Sequence, residues 1–522
     1  MIEQLYLLQE FRTANEPKFH PLIKKSFVFV PSAGMRHAPE LLVLELMREV
    51  FFGRHYGERT ATRYINPDNC DDEHRYLMTE RQRAVTHVLG GRSMRKKTRF
   101  YAPAYPDLAA WGWLGKNRER VVNSFLLSGP VAQFLWERGP NTESGKSKQQ
   151  EIANIAFDAL LGKKSCIDEM LDGKDILAAT LGIEGFVTDR DIAINNLVNK
   201  TEISDSVIDG IHDELATRIT QDFITICNLE GEIPRMQWIQ LLMTFLRFSM
   251  PIWLLAQMQI TRLLHHWLLN AADNGVIVDN VTIKAALSAR NKGLLHPTLT
   301  ATRELFEHIE CYMKNRVEVN ILLYCLAQVR AEQIKDKRLT LYGAGSETLS
   351  LEALLIMVKN AVEDIRNLDR YKEIANGLDI QTFLIREGEQ FSAWRNPLTK
   401  GQGKNIDEFF RVLYRDDRGD EEGGFLLTPE VQRTKQGFRV FPGQLLLKTA
   451  TYLAAKHKWS DQPTGGAGKL VLQDVEELFD QYGIDFSAAA DARPLVMSEL
   501  KAMGLLTGSP DAGSSVAIAC PY

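Results

Sequence analysis

The chain has 522 residues, of which 45% are hydrophobic and 25% are charged, and its formal net charge is −5. This is the composition of an ordinary soluble globular protein, and the length allows two to four domains with sizeable cores. The six cysteines form no CxxC pair, which argues against a disulfide-stapled scaffold and indicates reduced thiols. The first residues, MIEQLYLLQEFR, lack the cationic start of a signal peptide, so we expect a cytoplasmic protein.

Charge is unevenly distributed along the chain. Residues 1–125 hold 20 Lys and Arg against 14 Asp and Glu, a net charge of +6. Because the whole chain carries −5, the remaining 397 residues carry −11. A basic N-terminal part followed by an acidic remainder of the chain fits a protein whose N-terminal part contacts an anionic ligand. The alternative is that ordinary variation in composition produces the same charge counts.

The first part of the chain, residues 1–137, has the mixed pattern of a small basic α/β-like domain. The run KKSFVFVPS at 24–32 predicts a strand, and the periodic segments at 37–52 and 73–89 predict helices. A polar, glycine-containing segment at 139–150 then indicates a linker or an exposed loop.

Within this first part, the stretch at 90–120 interleaves cations with aromatic residues. Cations neutralise phosphates and exposed aromatic rings stack on bases, so the stretch is a candidate nucleic-acid-binding patch. The alternative is a solvated basic loop beside aromatic residues of the core. The candidate residues are Arg92, Arg95, Lys96, Lys97, Arg99, Tyr101, Trp111, Trp113, Lys116 and Arg118.

The central residues, 150–335, have the period of a helical domain in nearly every segment. The most apolar stretch, 238–272, is interrupted by Arg247, Pro251 and Arg262 well before a clean span of about 20 apolar residues. We therefore expect buried helices with a bend near Pro251 and no membrane span. Residues 336–439 follow as a mixed connecting region, so the fold class is predicted to be mainly α and multidomain.

The last part, residues 440–522, contains three predicted helices at 442–459, 470–484 and 491–506, and Asp491 is a candidate N-cap for the third. The segment LLTGSPDAGSSVAIACPY then predicts two short strands around a turn. This order of three helices and a β-hairpin resembles the winged helix-turn-helix superfamily, with SELKAMGLLTGSPDAGSSVAI as the third helix and the wing.

That resemblance implies a recognition helix, on which the charged residues are Arg493, Glu499 and Lys501. Residues 440–522 hold only six Lys and Arg against nine Asp and Glu, and the wing, 509–513, has no cation. Affinity for duplex DNA depends largely on phosphate neutralisation, which an acidic surface opposes. We therefore favour a winged helix that docks a protein over one that reads bases.

Two glycine-rich segments suggest phosphate binding, and neither fits a known motif. In Gly-Ala-Gly-Lys at 466–469, Pro463 stands where a P-loop has its first glycine and Leu470 where it has Ser or Thr. In the second segment, around Gly343 and Gly345, Thr348 stands where the dinucleotide fingerprint has its third glycine. We interpret the first segment as a turn between two helices, and the second as a strand-to-helix turn with Ser350 as N-cap.

The sequence offers no local motif for catalysis or metal binding. It contains neither GxSxG nor HExxH, and the rings of the adjacent His265 and His266 point about 100° apart on a helix. Cys70 and His74 provide two ligands where zinc needs three or four. The Glu-x-Lys triplet at 499–501 lies on a predicted helix, whereas a nuclease site needs it on a strand. We predict no catalytic residue, no metal and no cofactor.

Together these features predict a non-enzymatic subunit of a bacterial-type multi-protein assembly acting on DNA, with defence against foreign DNA as one setting. The expected partners are proteins such as an ATPase or a nuclease, with DNA as a further ligand and no membrane. Two alternatives stay open: an enzyme whose site is assembled from dispersed residues, and a DNA-binding regulator.

Overall fold

The computed structural model describes residues 20, 42–43, 46, 125–126, 129–136, 143–161, 214–297, 301–335, 351–399, 401–415, 423–432, 435–460, 468–486, 492–508, 513 and 515–522. Within these ranges the chain is mainly helical, which confirms the predicted class. The helices are α1 Pro130–Trp136, α2 Glu143–Leu161, α3 Glu214–Asn228, α4 Arg235–Asp273, α5 Asn280–Ser288, α6 Ala301–Lys335, α7 Leu351–Asn367, α8 Asp369–Ala375, α9 Ile380–Gly388, α10 Ser392–Arg395, α11 Gly401–Phe410, α12 Gln444–Ser460, α13 Leu472–Gln481 and α14 Ala492–Ala502. A hairpin of β1 Leu427–Gln432 and β2 Lys435–Val440 precedes α12.

Helix α4 is the centre of the core. It runs through Pro251 as one helix of 39 residues, whereas the sequence predicted helices with a bend there, and the predicted burial is confirmed. A proline inside a helix removes one backbone hydrogen bond, and the packing of α4 on every side offsets that loss. The most apolar window of α4 is long and apolar enough to cross a membrane, but 89% of it is buried by other parts of the described chain. Such burial is typical of the core helix of a soluble protein.

Helices α3 to α11 pack around α4 and α6 and are called the helical body here. Two arginines of α4 connect it to other elements through backbone carbonyls. Arg235 donates to the carbonyls of Ala159 and Leu160 at 2.6 and 2.8 Å, and the buried Arg247 donates to those of Val412 and Tyr414. Each guanidinium thus satisfies carbonyl groups near the C-terminal end of a helix, where intrahelical donors run out.

The β-hairpin lies beside the N-terminal end of α6. Its strands pair antiparallel, with Leu427 opposite Val440 and Gln432 opposite Lys435. Thr302 of α6 accepts the N–H of Phe438 through Oγ1 at 2.9 Å, and the same hydroxyl lies 3.3 Å from the carbonyl of Phe438. Pro429 on the other strand has no N–H to offer. These features limit further pairing along either edge of the hairpin.

Residues 444–522 form the C-terminal module, which contains α12, α13 and α14. Directly before α13, Val471 is extended and forms an antiparallel bridge with Ala517. Ile518 forms a second antiparallel bridge with Leu506, the residue that follows α14. The three extended segments therefore lie in the order 470–471, 516–518 and 505–507. The helices begin and end within about four residues of the predicted bounds.

Helix α2 begins at Glu143, so the interpretation of 139–150 as a linker or an exposed loop is wrong from that residue onward. Several other sequence predictions lie outside the described residues. They are the strand at 24–32, the Cys70–His74 pair, the helix at 73–89, the patch at 90–120, Gly343 to Ser350, the N-cap Asp491 and the wing turn at 509–512. The N-terminal part is represented by a few residues that contact the core. His20, for example, donates its backbone N–H to Asn320 of α6 at 2.9 Å.

Candidate interaction surface of the C-terminal module

Helix α14 has one buried and one exposed face. Val496 and Leu500 are buried, because their four-residue spacing places both on the side that packs against α12. The exposed residues are Pro494, Ser498, Lys501 and Ala502. This outward face is therefore formed by small and polar side chains with a single cation.

Arg493, the other cation of α14, is bound to Glu476 of α13. Its Nε lies 2.6 Å from Oε1 and its Nη2 lies 2.8 Å from Oε2 of that carboxylate. This two-point geometry uses the same edge of the guanidinium that would bind a phosphate. The hydrogen bonds that Arg493 donates to Glu476 raise the pKa of Arg493, so the arginine stays charged and paired.

The remaining charges around α14 are mostly negative. Glu499 accepts a hydrogen bond from Gln444 at 2.9 Å, and Glu477 and Asp480 are exposed on α13. Lys458 is paired with Asp474 at 2.7 Å. The described surface here therefore combines the exposed Lys501 and Lys469 with several carboxylates, and it is poorly suited to a polyanion.

The module is joined to the helical body by a cluster of polar residues that sequence patterns did not reveal. The carboxylate of Asp222 on α3 is fully buried, and it accepts hydrogen bonds from the Tyr482 hydroxyl at 2.7 Å and from His457 Nε2 at 2.5 Å. Arg218 Nη1 lies 2.8 Å from His457 Nδ1. The same Nη1 lies 2.9 Å from Nε2, so the guanidinium contacts the edge of the ring that carries both nitrogens. The contact with the Asp222 carboxylate implies that Nε2 carries a proton. The contacts of Arg218 and Asp222 with His457 and Tyr482 span 235 or more positions, so no local motif could have identified the cluster.

The end of α13 and the residues after it face the helical body. The carbonyl of Gly483 accepts the backbone N–H groups of Leu294 and Leu295 at 2.8 and 3.2 Å, and Asn291 donates to the Gln481 carbonyl. The ring of Phe248 on α4 lies 4.9 Å from that of Tyr482. The turn after α13 is therefore used for internal packing, and α14 presents the outward surface.

Gly483 has a conformation that favours glycine. Its φ is +82°, and a Cβ there would lie 2.1 Å from the carbonyl oxygen of Asn291. The close approach of the two backbones thus requires a residue without a side chain.

The structure also shows the surroundings of the residues considered for metal or phosphate binding. His265 contacts Glu318 at 2.7 Å, whereas His266 contacts Asn270 at 3.0 Å, so the two rings do diverge. Among the residues that the structure describes, no group of three His, Cys, Asp or Glu is arranged to hold a metal. Lys469 is exposed, and Asp474 accepts the N–H of Val471 at the start of α13. That carboxylate occupies the position where an anion would bind the helix end.

Chemically, the described surface can bind by shape and charge, and the Asp222 cluster can hold elements together. Both ring nitrogens of His457 already contact Arg218, and Nε2 also contacts Asp222, so this histidine is poorly placed to act as a general base. No known protein family, curated protein or solved structure matches this chain.

Proposed function

We propose that this chain is a non-enzymatic subunit of a cytoplasmic, bacterial-type assembly acting on DNA, and that its C-terminal module is a winged helix that docks a partner protein. The order of α12, α13, α14 and the bridged segments at 505–507 and 516–518 supports the winged-helix part. The known examples of that arrangement include both DNA-reading and protein-docking domains, so the surface chemistry has to decide between the two uses.

The observation that carries the docking proposal is the pairing of Arg493 with Glu476. With Arg493 neutralised, the outward face of α14 offers one cation, Lys501, beside the exposed acids of α13. A DNA reader needs several free cations to neutralise phosphates. A protein partner with a basic rim and a flat or small-featured centre matches this surface better, because opposite charges steer and orient association.

The contact with DNA is proposed for the N-terminal part, from the cations and aromatics of residues 92–118 together with the net charge of +6 over residues 1–125. Protein partners such as an ATPase or a nuclease would supply the chemistry that the sequence of this chain does not reveal. Defence against foreign DNA is one setting in which such subunits work. The alternative functions are a DNA-binding regulator and an enzyme with a dispersed site.

The docking proposal is tested by placing bulk and positive charge on the outward face. Ser498→Arg combined with Ala502→Arg should abolish capture of the partner from a lysate of the native host while leaving the melting temperature within about 2 °C of the parent, because both positions are exposed. Ala285→Arg on the exposed side of α5 is the matched control and should keep the partner. Retention of every captured protein by the double variant would refute docking on α14.

The DNA proposal is tested separately in the N-terminal part. Changing Arg95, Lys96, Lys97 and Arg99 to Glu should weaken binding to all DNA sequences alike and flatten its salt dependence. Trp111→Ala should weaken single-strand binding by about 1–3 kcal/mol if the ring stacks on a base. Gel shifts at two salt concentrations, with a melting curve for each variant, measure both effects. Unchanged binding by the charge-reversed protein would refute the patch.

A further inference from the structure

The contacts between α13 and the helical body are concentrated in the short segment 478–486. They consist of the Tyr482–Asp222 hydrogen bond, the backbone bonds of Gly483, and the packing of Phe248 against Phe479 and Tyr482. Helix α14 is not among the elements that contact the helical body extensively. Helices α13 and α14 also pack on α12, and α12 packs on α4. This joint is therefore the direct contact of α13 with the body, and α12 provides a second, indirect attachment.

The central polar contact of the joint involves a carboxylate with no exposure to water. Moving a carboxylate from water into the protein interior costs free energy, and the hydrogen bonds that the carboxylate accepts there only roughly offset this cost. Asp222 is held by two donors, Tyr482 and His457, and the guanidinium of Arg218 lies beyond the histidine ring. On opening, water would hydrate the carboxylate again. The polar part of the joint consequently adds little net stability, and its closure depends on keeping both donors in place.

The helical body is held together mainly by apolar contacts. Helices α4 and α6 are packed through long rows of fully buried apolar side chains, so separating them would expose far more apolar surface than opening the joint. The joint also buries apolar side chains, among them Phe479, Tyr482 and Ile484, but fewer than α4 and α6 bury. A segment with fewer buried apolar side chains than the central helices opens locally before the whole protein unfolds.

We propose that residues 472–486 open from the helical body as one cooperative unit, and that the hydrogen bond from Tyr482 to Asp222 sets how often they open. Opening would release α13 from α3 and α4 while α12 keeps its packing on α4. Because Arg493 of α14 is paired with Glu476 of α13, opening would also change the orientation of the outward face of α14. The joint would thus regulate how a docked protein is held, a consequence that rests on the docking function proposed above. Opening itself does not depend on that function.

The test is hydrogen–deuterium exchange on the full chain with Tyr482→Phe, which removes one hydrogen bond to Asp222 and keeps the ring. Exchange in 472–486 and in 290–296 should accelerate together by about ten- to hundred-fold, because a hydrogen bond to a charged group is lost. Exchange in α6 and α9 should stay unchanged. Asp222→Asn serves as a second variant that removes the buried charge, and it should change exchange in the same two segments.

Tyr371→Phe is the matched control, because Tyr371 is also buried and donates its hydroxyl to the Leu378 carbonyl within the helical body. It should accelerate exchange around 369–388 and leave 472–486 as in the parent. In Tyr482→Phe, equal acceleration of exchange across the whole chain, or no acceleration in 472–486, would contradict the proposed local opening. Partner capture that is lost in Ser498→Arg with Ala502→Arg but unaltered in Tyr482→Phe would keep the docking function and overturn its regulation by the joint.

Discussion

Helices α4 and α14 differ in how much of their surface is buried. Almost every side of α4 is buried, and its buried residues include the polar Arg247, Gln257 and Thr261. The polar residues of α4 therefore bind to groups inside the protein. Helix α14 buries Val496 and Leu500 and leaves a polar face in water. A long apolar helix can therefore be wholly structural, whereas a short helix with few distinctive residues presents the surface that is open to a partner. Exposure, more than sequence motif, separates the two roles.

The largest test of this contrast is a truncation in α4. Trp253→Ala should lower the free energy of unfolding by about 3–5 kcal/mol, because it leaves a cavity in the core. The indole Nε1 also donates to Gln133 Oε1 at 2.9 Å, so its loss removes a buried hydrogen bond. Urea unfolding followed by circular dichroism measures the change.

Ser498→Ala on the outward face of α14 is the control for that truncation, and it should change stability by less than about 0.5 kcal/mol. If the two substitutions cost the same, the assignment of α4 to the core and of α14 to the surface would be wrong.

A second test concerns His20, which attaches the N-terminal part to α6. Its ring lies edge-on to the fully buried Tyr324 with centroids 5.3 Å apart, and burial lowers the pKa of His20 from 6.5 to about 4. Between these pH values the unfolded chain binds a proton that the folded chain does not, so stability is complete above pH 6.5 and falls as the pH drops towards 4. The loss has an upper limit of about 3 kcal/mol.

His20→Phe keeps a ring and cannot titrate, so it isolates this effect. The melting temperature of the parent should fall more between pH 7 and pH 5 than that of His20→Phe. Parallel decreases in both proteins would show that His20 is not the buried neutral group that the geometry indicates.

How well these regions can be predicted from sequence depends on how far apart in the sequence the interacting residues are. The helical pattern of α12 to α14 was visible because apolar spacing is local, and Leu472, Val475 and Leu478 are indeed buried together. The continuity of α4 through Pro251 was missed, because it depends on neighbours from other parts of the chain. The Asp222 cluster was missed for the same reason, since Tyr482 is 260 positions away. The Arg493–Glu476 pair joins two helices across a turn, and charge counts gave only the acidic balance around it.

The smallest expected effect is the most informative about function. Arg493→Met and Glu476→Gln should each destabilise the protein slightly, and a double-mutant cycle should give a coupling of about 0.2–1 kcal/mol. The pair is only partly shielded, with side-chain exposures of 37% and 17%, so the coupling should shrink at high salt. Urea unfolding of the four proteins at two salt concentrations measures it. A coupling of zero at low salt would mean that Arg493 is not held by Glu476 in solution. The arginine would then be free to meet a phosphate, and the preference for protein docking over DNA reading on α14 would lose its main support.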